Sequence, residues 1–272
     1  MKGAQLLSLL VRNNQFVRQK LSCRQCILAR NRLLPVCVNM TPFSTSSQAC
    51  QAESASSGLW SKIRFDLGFI SGLKYPKSVL NLSGFRMYIC CTELIDYTEF
   101  FSEFDLPDTF YSWFLVTDLH IWFCMVRLAS LGKDGRLLRN CLVKALWEDV
   151  EARSKQLGSA ASLTARKEGV RQMADLFHAS LFSYDEGLLG DDKELAGGLW
   201  RVFFEMNHDL DPHKLELLVA YVRKQVAHID SQTEESILGR GFVTFLPLRG
   251  DKIDERSARR QALTVGKLRT KV

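Results

Sequence analysis

The amino-acid sequence predicts an all-α fold: a single irregular bundle of about six helices, followed by a short extended segment near the carboxyl end. Three observations lead to this prediction. Apolar residues recur at helical spacing between residues 78 and 230. Proline, glycine and aspartate interrupt that pattern at helix-length intervals. One stretch, 107–131, is apolar on nearly all sides, which is typical of a helix at the centre of a bundle.

The ends of these helices have chemical causes. Proline is tolerated in a first helical turn, as at Pro107 and Pro212, and Asp211 is a good N-cap. Glycine can end a helix in the left-handed conformation or allow a tight turn. The glycines expected in these roles are Gly132, Gly135, Gly158 and Gly190. We place helices at about 78–102, 107–131, 134–157, 164–187, 191–207 and 211–230, and the extended segment at 241–247.

The stretch 107–131 has two interpretations. It approaches the length of about 20 apolar residues that a membrane span requires. Asp118 and His120 lie near its middle, however, and an aspartate at the bilayer centre costs about 2.5–3.5 kcal/mol on insertion scales. These residues favour a central bundle helix, which could also line a hydrophobic groove for another polypeptide. His120 is expected to be a hydrogen-bonded core residue rather than a metal ligand.

Charge divides the chain into parts. Residues 1–52 contain seven Lys or Arg, residues 256–272 contain six, and neither segment contains Asp or Glu. The other 23 basic and all 30 acidic residues lie in 53–255, which therefore carries about −7 and does not look like a nucleic-acid-binding core. We predict a targeting presequence at 1–50, a linker at 51–77, a helical domain at 78–250 and a basic flexible tail at 251–272.

The presequence is predicted to direct import into mitochondria. Residues 6–24 can place apolar side chains on one helix face and arginines on the other, without any carboxylate. A secretory signal fits less well because its longest apolar run, 6–11, is short and interrupted by Ser8. A disordered basic tail is the alternative. The linker contains one short amphipathic piece, 59–69.

The eight cysteines do not resemble a disulfide framework. Four lie in the first 50 residues, and Cys90, Cys91, Cys124 and Cys141 lie in apolar helical stretches, where reduced thiols are usual. Cys23 and Cys26 have zinc-ligand spacing, but no second pair follows at a suitable distance. We therefore predict neither a metal nor a cofactor.

Acidic residues provide the best argument for an enzyme. Asp185, Glu186, Asp191, Asp192 and Glu194 are close in sequence, and carboxylates on helical folds can hold Mg²⁺. A divergent Mg-dependent isoprenoid-type enzyme is therefore one alternative. The spacing favours a solvated corner in which Asp191 or Asp192 caps the next helix. No phosphate loop or nucleophile motif appears, so we expect a binding protein without catalytic residues.

Several ordered blocks resemble the ubiquinol–cytochrome c chaperone family over about residues 72–249. They read LPDTFYSWF, LHIW, LWEDV, SYDEGLL, LWRVFF and LELLVAYVRKQ, at 106–114, 119–122, 146–150, 183–189, 199–204 and 215–225. The resemblance implies an all-helical chaperone with no cofactor. Its implied partners are newly synthesised cytochrome b and a small assembly factor that forms a heterodimer with it. A structural subunit of a respiratory complex is a further alternative. Gly197-Gly198 departs from the expected alanines, and each glycine inside a helix costs about 1 kcal/mol relative to alanine.

The resemblance also implies a site of action at the matrix face of the inner membrane, near the mitochondrial ribosome, without DNA. We hypothesise an aromatic groove for the client, although core packing is the alternative for each aromatic residue. Its candidates are Tyr111, Trp113, Trp122, Trp147 and Trp200. An acidic face at Tyr184, Asp185 and Glu186 could receive basic segments of a partner. The basic tail could contact ribosomal RNA or anionic lipid, or remain a solvated tail.

Overall fold

The protein is described here by a computed structural model that covers residues 72–157, 163–250 and 252–269. No β-strand occurs among these residues, which confirms the predicted all-α fold. The helices are α1 Lys77–Glu93, α2 Tyr97–Glu103, α3 Phe110–Ala129, α4 Gly132–Leu157, α5 Leu163–Leu189, α6 Asp192–Val202, α7 Pro212–Asp230 and α8 Glu255–Arg269. A π-helical turn, Glu235–Arg240, follows α7.

Helix α3 lies at the centre of the bundle. It packs against α1, α2, α4, α5 and α7. By length and composition it could cross a membrane, but most of it is buried inside the bundle. The prediction of a central helix is therefore confirmed, and burial by its neighbours explains why it lacks a polar face.

Two predicted helix starts differ from the structure. The helix expected at 78–102 is divided into α1 and α2, because Asp96 caps α2 by accepting hydrogen bonds from the backbone N–H groups of Thr98 and Glu99. Helix α3 begins at Phe110 rather than near Pro107, since the side chain of Thr109 accepts from the N–H of Ser112. Short polar side chains at these positions satisfy the free N–H groups of a first turn.

Other helix ends agree in part with the predictions. Asp211 caps α7 and Pro212 occupies its first turn, as expected. Gly132 has a φ of +60° and opens the tight turn into α4. Gly190 does not have a positive φ, so the prediction of a left-handed helix end at this residue is wrong. Gly158 lies outside the described residues. Helix α6 ends at Val202, five residues earlier than predicted.

Close packing of α5 on α6 gives a physical reason for Gly198, one of the two glycines that depart from the expected alanines. A Cβ on Gly198 would lie 2.7 Å from the carbonyl oxygen of Ser183, and one on Gly187 would lie 2.7 Å from the Cα of Leu195. Glycine at both positions lets the two backbones approach each other. A Cβ on Gly197, in contrast, would meet only the guanidinium of Arg201, at 3.5 Å.

The chain after the π-helical turn crosses the bundle as an extended segment without a strand partner, which agrees with the prediction at 241–247. Two glutamines of the α7 region replace that partner. Gln225 donates to the carbonyl of Leu246 (2.6 Å) and accepts from its N–H (3.2 Å). Gln232 makes the same pair of bonds with Thr244, at 2.9 and 3.2 Å.

The two ends of the chain differ in what the structure describes. A flexible tail was predicted at 251–272, but residues 255–269 form α8, which packs against α1. On this helix Gln261 is buried and Val265 packs against the core. The predicted presequence, the Cys23 and Cys26 pair, and the amphipathic piece 59–69 lie outside the described residues.

Candidate partner-binding surface

Two of the residues expected in a client groove, and one expected on the acidic face, are core residues instead. Trp113 and Trp122 are each only 1% exposed, and Tyr184 is fully buried. The hypothesis of an open aromatic groove is therefore wrong for Trp113 and Trp122, and the side chain of Tyr184 is not part of an exposed acidic face. The physical reason is their position on the inward faces of α3 and α5, where a large ring contributes most to stability by burial.

The remaining aromatic candidates are half-buried and do not form one groove. Trp147 contacts Phe114 and Phe177, with ring centroids 6.1 and 5.5 Å apart, at the junction of α3, α4 and α5. The indole N–H of Trp200 donates to the carbonyl of Asn207 (2.8 Å). Tyr111 lies near the buried hydroxyl of Tyr184. Each therefore has a packing role.

The acidic candidates do lie at the surface. Asp185 and Glu186 are both exposed on α5. Asp185 also accepts a hydrogen bond from the indole N–H of Trp122 (2.8 Å), and Glu186 lies 3.5 Å from the guanidinium of Arg201. The carboxylate of Asp185 thus connects the surface of α5 to the buried centre of α3.

Two large apolar side chains on the same helix were missed by the sequence analysis. Phe182 is 74% exposed and Leu189 is 90% exposed, and apolar side chains that are exposed close together can mark a binding site. Residues seven apart lie on one helix face, so Phe182 and Leu189 flank Asp185 and Glu186. We call these four residues the α5 outer face. The signal was available in the sequence, since Phe182 falls outside the apolar stripe of α5.

Buried polar groups in α3 have structural roles. His120 is fully buried; its Nδ1 lies 2.7 Å from the carbonyl of Val116 and its Nε2 lies 2.7 Å from the hydroxyl of Tyr221. The carbonyl can only accept, so Nδ1 carries the hydrogen and Nε2 accepts from Tyr221. Burial lowers the pKa of His120 to about 4, which keeps the ring neutral. The prediction of a hydrogen-bonded core histidine is confirmed.

Asp118 is the least expected core residue. It is fully buried beside Ser180 and Tyr184, and burial raises the pKa of its carboxyl group to about 8. Ser180 donates its hydroxyl hydrogen to the carbonyl of Phe177 (2.8 Å). Within the described part of the chain, neither carboxyl oxygen of Asp118 has a hydrogen-bond partner of normal geometry. The group is therefore held neutral in the core at physiological pH.

The residues that a Mg²⁺-dependent reaction would need have other partners. Asp191 caps α6 by accepting from the N–H groups of Lys193 and Glu194, and the side chain of Glu194 accepts from the N–H of Asp191 in return. Asp192 lies 3.0 Å from the guanidinium of Arg223. The expected cap at Asp191 is thus confirmed. Among the described residues, no group of three or more His, Cys, Asp or Glu is arranged to hold a metal ion.

The cysteines of the helical domain agree with the prediction of reduced thiols. Cys90, Cys91 and Cys124 are buried, Cys141 is half-buried, and all four are free. The sulfur atoms of Cys91 and Cys124 are 3.6 Å apart. Burial raises the pKa of Cys90 to about 12, so this thiol is neutral and unreactive.

The fold and its surface define an all-helical bundle that has an exposed apolar and acidic helix face. Comparison with known proteins identifies the particular family. Residues 102–245 match the family model described as ubiquinol-cytochrome C chaperone. The chain belongs to this family, which is one of chaperones and not of enzymes. The family membership excludes the isoprenoid-type enzyme as the protein's class.

Individual relatives agree with this assignment. The chain is 47% identical over 182 residues to ubiquinol-cytochrome-c reductase complex assembly factor 1 of Xenopus laevis, covering 67% of this chain and 90% of that protein. It is 40% identical over 206 residues to the Homo sapiens factor of the same name, covering 76% and 68%. Protein CBP3, mitochondrial, of Saccharomyces cerevisiae is 30% identical over 149 residues, covering 54% and 44%.

One solved structure shares the fold. The crystal structure of the Cbp3 homolog from Brucella abortus superposes with a TM-score of 0.55 at 21% identity, covering 65% of this chain and 96% of that one. At this identity the likeness concerns the fold alone.

Proposed function

We propose that this protein is a mitochondrial assembly factor for respiratory complex III. It binds newly synthesised cytochrome b together with a small partner factor, at the matrix face of the inner membrane, and supports the translation, stability and incorporation of cytochrome b. The observation that carries the proposal is membership of the chaperone family, joined to relatives that are named as assembly factors of the ubiquinol-cytochrome c reductase complex.

The α5 outer face supports the binding part of this proposal. Phe182 and Leu189 expose apolar area that α5 does not use in the core, and Glu186 adds negative charge between them. Large apolar anchors surrounded by polar groups are the usual centre of a protein–protein interface. Such a surface suits a segment with apolar and basic side chains, because the carboxylates favour positive charge nearby.

The proposed binding can be tested in mitochondria that carry variants of this face. We expect Phe182→Ser with Leu189→Ser to reduce co-purification of the partner factor or of cytochrome b at least fivefold, and to lower the level of complex III. Leu163→Ser is the matched control, since Leu163 is a 56% exposed leucine at the other end of the same helix. Glu186→Lys tests the charge without disturbing the bond between Asp185 and Trp122.

Two outcomes would contradict the proposal. Unchanged co-purification by the double variant, with the protein folded, would remove the α5 outer face as the binding surface. Normal assembly of cytochrome b in cells that lack the protein would remove the function itself. If the protein were as abundant as complex III, that result would instead favour a structural subunit over a chaperone.

Helix α8 supports attachment to an anionic surface, either the inner membrane or the mitochondrial ribosome. Arg256, Arg259, Arg260 and Lys267 are exposed on it, beside the exposed Leu263. Basic side chains near a polyanion each contribute on the order of 1 kcal/mol and are screened by salt. We expect Arg259→Glu with Arg260→Glu to weaken membrane or ribosome association severalfold at low salt. Association that does not depend on salt would contradict an electrostatic role.

A further inference from the structure

Helix α8 presents to water a face that combines positive charge with one large apolar side chain. Four exposed residues follow one another at intervals of four, three and four positions: Arg256, Arg260, Leu263 and Lys267. Side chains at these intervals lie on one face of an α-helix. Arg259 is exposed at the edge of the same face. We call these five residues the α8 basic face.

The opposite side of α8 holds the helix to the bundle. Gln261 is only 2% exposed, Val265 packs against the core, and α8 packs on α1. Gln261 and Val265 both lie on the side of the helix opposite to Leu263, because successive residues of an α-helix are about 100° apart. The packing of α8 therefore turns the basic face outward, where it is open to a partner in the folded protein.

The charge of α8 attracts a polyanion. Its 15 residues include five Lys or Arg and a single acid, Glu255, at the first position of the helix. The rest of the domain differs, since residues 53–255 carry about −7. A local excess of positive charge on an acidic protein favours association with a negatively charged surface. An anionic bilayer and RNA both meet this requirement.

Leu263 distinguishes between these two polyanions. It is 56% exposed and lies between Arg260 and Lys267 on the α8 basic face. The bases of single-stranded RNA stack mainly on aromatic side chains, and α8 has no aromatic residue. At a membrane surface, in contrast, a leucine enters the boundary of the acyl chains while neighbouring Lys and Arg contact the headgroups. The aliphatic centre of the face therefore favours an anionic bilayer.

We propose that the α8 basic face binds the surface of an anionic bilayer, with α8 parallel to the membrane and Leu263 inserted below the headgroups. The basic side chains then lie against the lipid phosphates. Helix α8 lies outside residues 102–245, so this surface is not part of the match to the family model. The inference rests on the attachment of α8 in the proposed function and selects the lipid rather than the ribosome, but it does not depend on the binding of cytochrome b.

Vesicle flotation with the protein purified from mitochondria tests this binding. The vesicles contain either phosphatidylcholine alone or phosphatidylcholine with about one third phosphatidylglycerol, which is anionic. Binding to single-stranded and to double-stranded RNA is measured in parallel by electrophoretic mobility shift. Neither cytochrome b nor a partner factor is present, so a failure here is distinguishable from a failure of the proposed chaperone function, which is measured by the level of complex III.

We expect the wild type to bind the anionic vesicles at least fivefold more tightly than the neutral ones. Leu263→Ser should weaken this binding about threefold to tenfold, because the inserted apolar area is lost. Leu263→Trp should strengthen it severalfold, because tryptophan is favoured at the membrane interface. Arg256→Glu with Arg260→Glu should weaken it at least fivefold. A gain of binding by the tryptophan variant cannot result from misfolding.

Two matched controls separate the α8 basic face from general properties of the protein. Leu163→Ser removes a leucine on α5 that is also 56% exposed. Lys167→Glu with Lys193→Glu makes the same change in net charge as the arginine pair, at exposed lysines near the starts of α5 and α6. Both controls should preserve vesicle binding, and circular dichroism should show the helix content of the wild type in every variant.

Three results would overturn the proposal. The first is equal binding of the wild type to neutral and anionic vesicles, or no binding to either. The second is a loss of vesicle binding in the control variants as large as that in the α8 variants, which would assign binding to general charge or apolar content. The third is tighter binding to RNA than to anionic vesicles, with no effect of the substitutions at Leu263, which would favour the ribosome.

Discussion

Two aromatic residues on neighbouring helices show how differently this molecule uses the same chemistry. Trp122 on α3 is 1% exposed and packs on Tyr184, with ring centroids 5.2 Å apart. Phe182 on α5 is 74% exposed. Both are large aromatic residues, but only the second has surface left for a partner. Aromatic content alone therefore does not identify an interface in this bundle; exposure beside charged groups does.

The largest expected effect on stability tests this comparison directly. Trp122→Ala should lower the free energy of unfolding by about 3–5 kcal/mol, because it leaves a cavity and removes the donor to Asp185. Phe182→Ala should change it by only about 0.5 kcal/mol, since the ring is mostly in water. Chemical denaturation of both variants measures the difference. Similar losses for the two would show that Phe182 is part of the core.

The contact between α5 and α6 gives a second, smaller contrast. Gly198→Ala should destabilise the protein by about 1–3 kcal/mol, because the added methyl group would lie too close to the Ser183 carbonyl. Gly197→Ala should stabilise it by roughly 0.5–1 kcal/mol, because the position is open and alanine favours a helix. The midpoint of thermal unfolding would move in opposite directions. Equal shifts of the unfolding midpoint for the two variants would contradict the close approach of α5 and α6.

Asp118 predicts a pH dependence that Asp118→Asn should remove. The pKa of about 8 in the folded protein lies above the unfolded value of about 3.9, so the folded state retains a proton that the unfolded state releases. This stabilisation is complete at acidic pH and is lost as pH rises toward 8, by up to about 1.4 kcal/mol per unit. We expect the stability of the wild type, relative to Asp118→Asn, to fall by roughly 1–2 kcal/mol between pH 6.5 and 8.

This pH range avoids the opposing effect of His120. Its pKa of about 4 lies below the unfolded value, so its contribution to stability is lost as pH falls below about 6.5. Urea unfolding at several pH values between 6.5 and 8 therefore isolates Asp118. An unchanged difference between the two proteins across that range would show that the carboxyl group is already ionised in the folded state.

The smallest expected effect concerns the cap of α6. Asp191→Ala should cost about 1 kcal/mol, because the N–H groups of Lys193 and Glu194 lose their acceptor. Asp192→Ala should cost less, since its ion pair with Arg223 is largely exposed. Complex III assembly should be preserved in Asp192→Ala mitochondria. Loss of assembly there, with the protein folded, would mean that Asp192 has a role beyond its ion pair.

Much of the fold was predictable from local patterns. Helical periodicity predicted α4, α5 and α7 to within about two residues, and Asp211 marked its helix start. The division between α1 and α2 was missed because Asp96 interrupts an apolar pattern that otherwise continues, and a cap can override periodicity. Helix α8 was missed because its basic composition resembles a solvated tail, although its Gln261 face packs on the body of the protein.

The candidate site was predicted less well. Asp185 and Glu186 were identified from sequence and are exposed, whereas Trp113, Trp122 and Tyr184 are buried. Composition cannot separate a core aromatic from an interface aromatic, because both roles favour large rings. Phe182 and Leu189 were missed, although the position of Phe182 outside the apolar stripe of α5 was visible in the sequence.

The sequence by itself determined the helical class, the acidic centre between basic ends, and the family, because these depend on periodicity, charge and ordered blocks along the chain. Tertiary structure alone decided which side chains face water. It also decided why Gly198 is required. These properties arise from contacts between residues that are distant in sequence, and no local pattern records them.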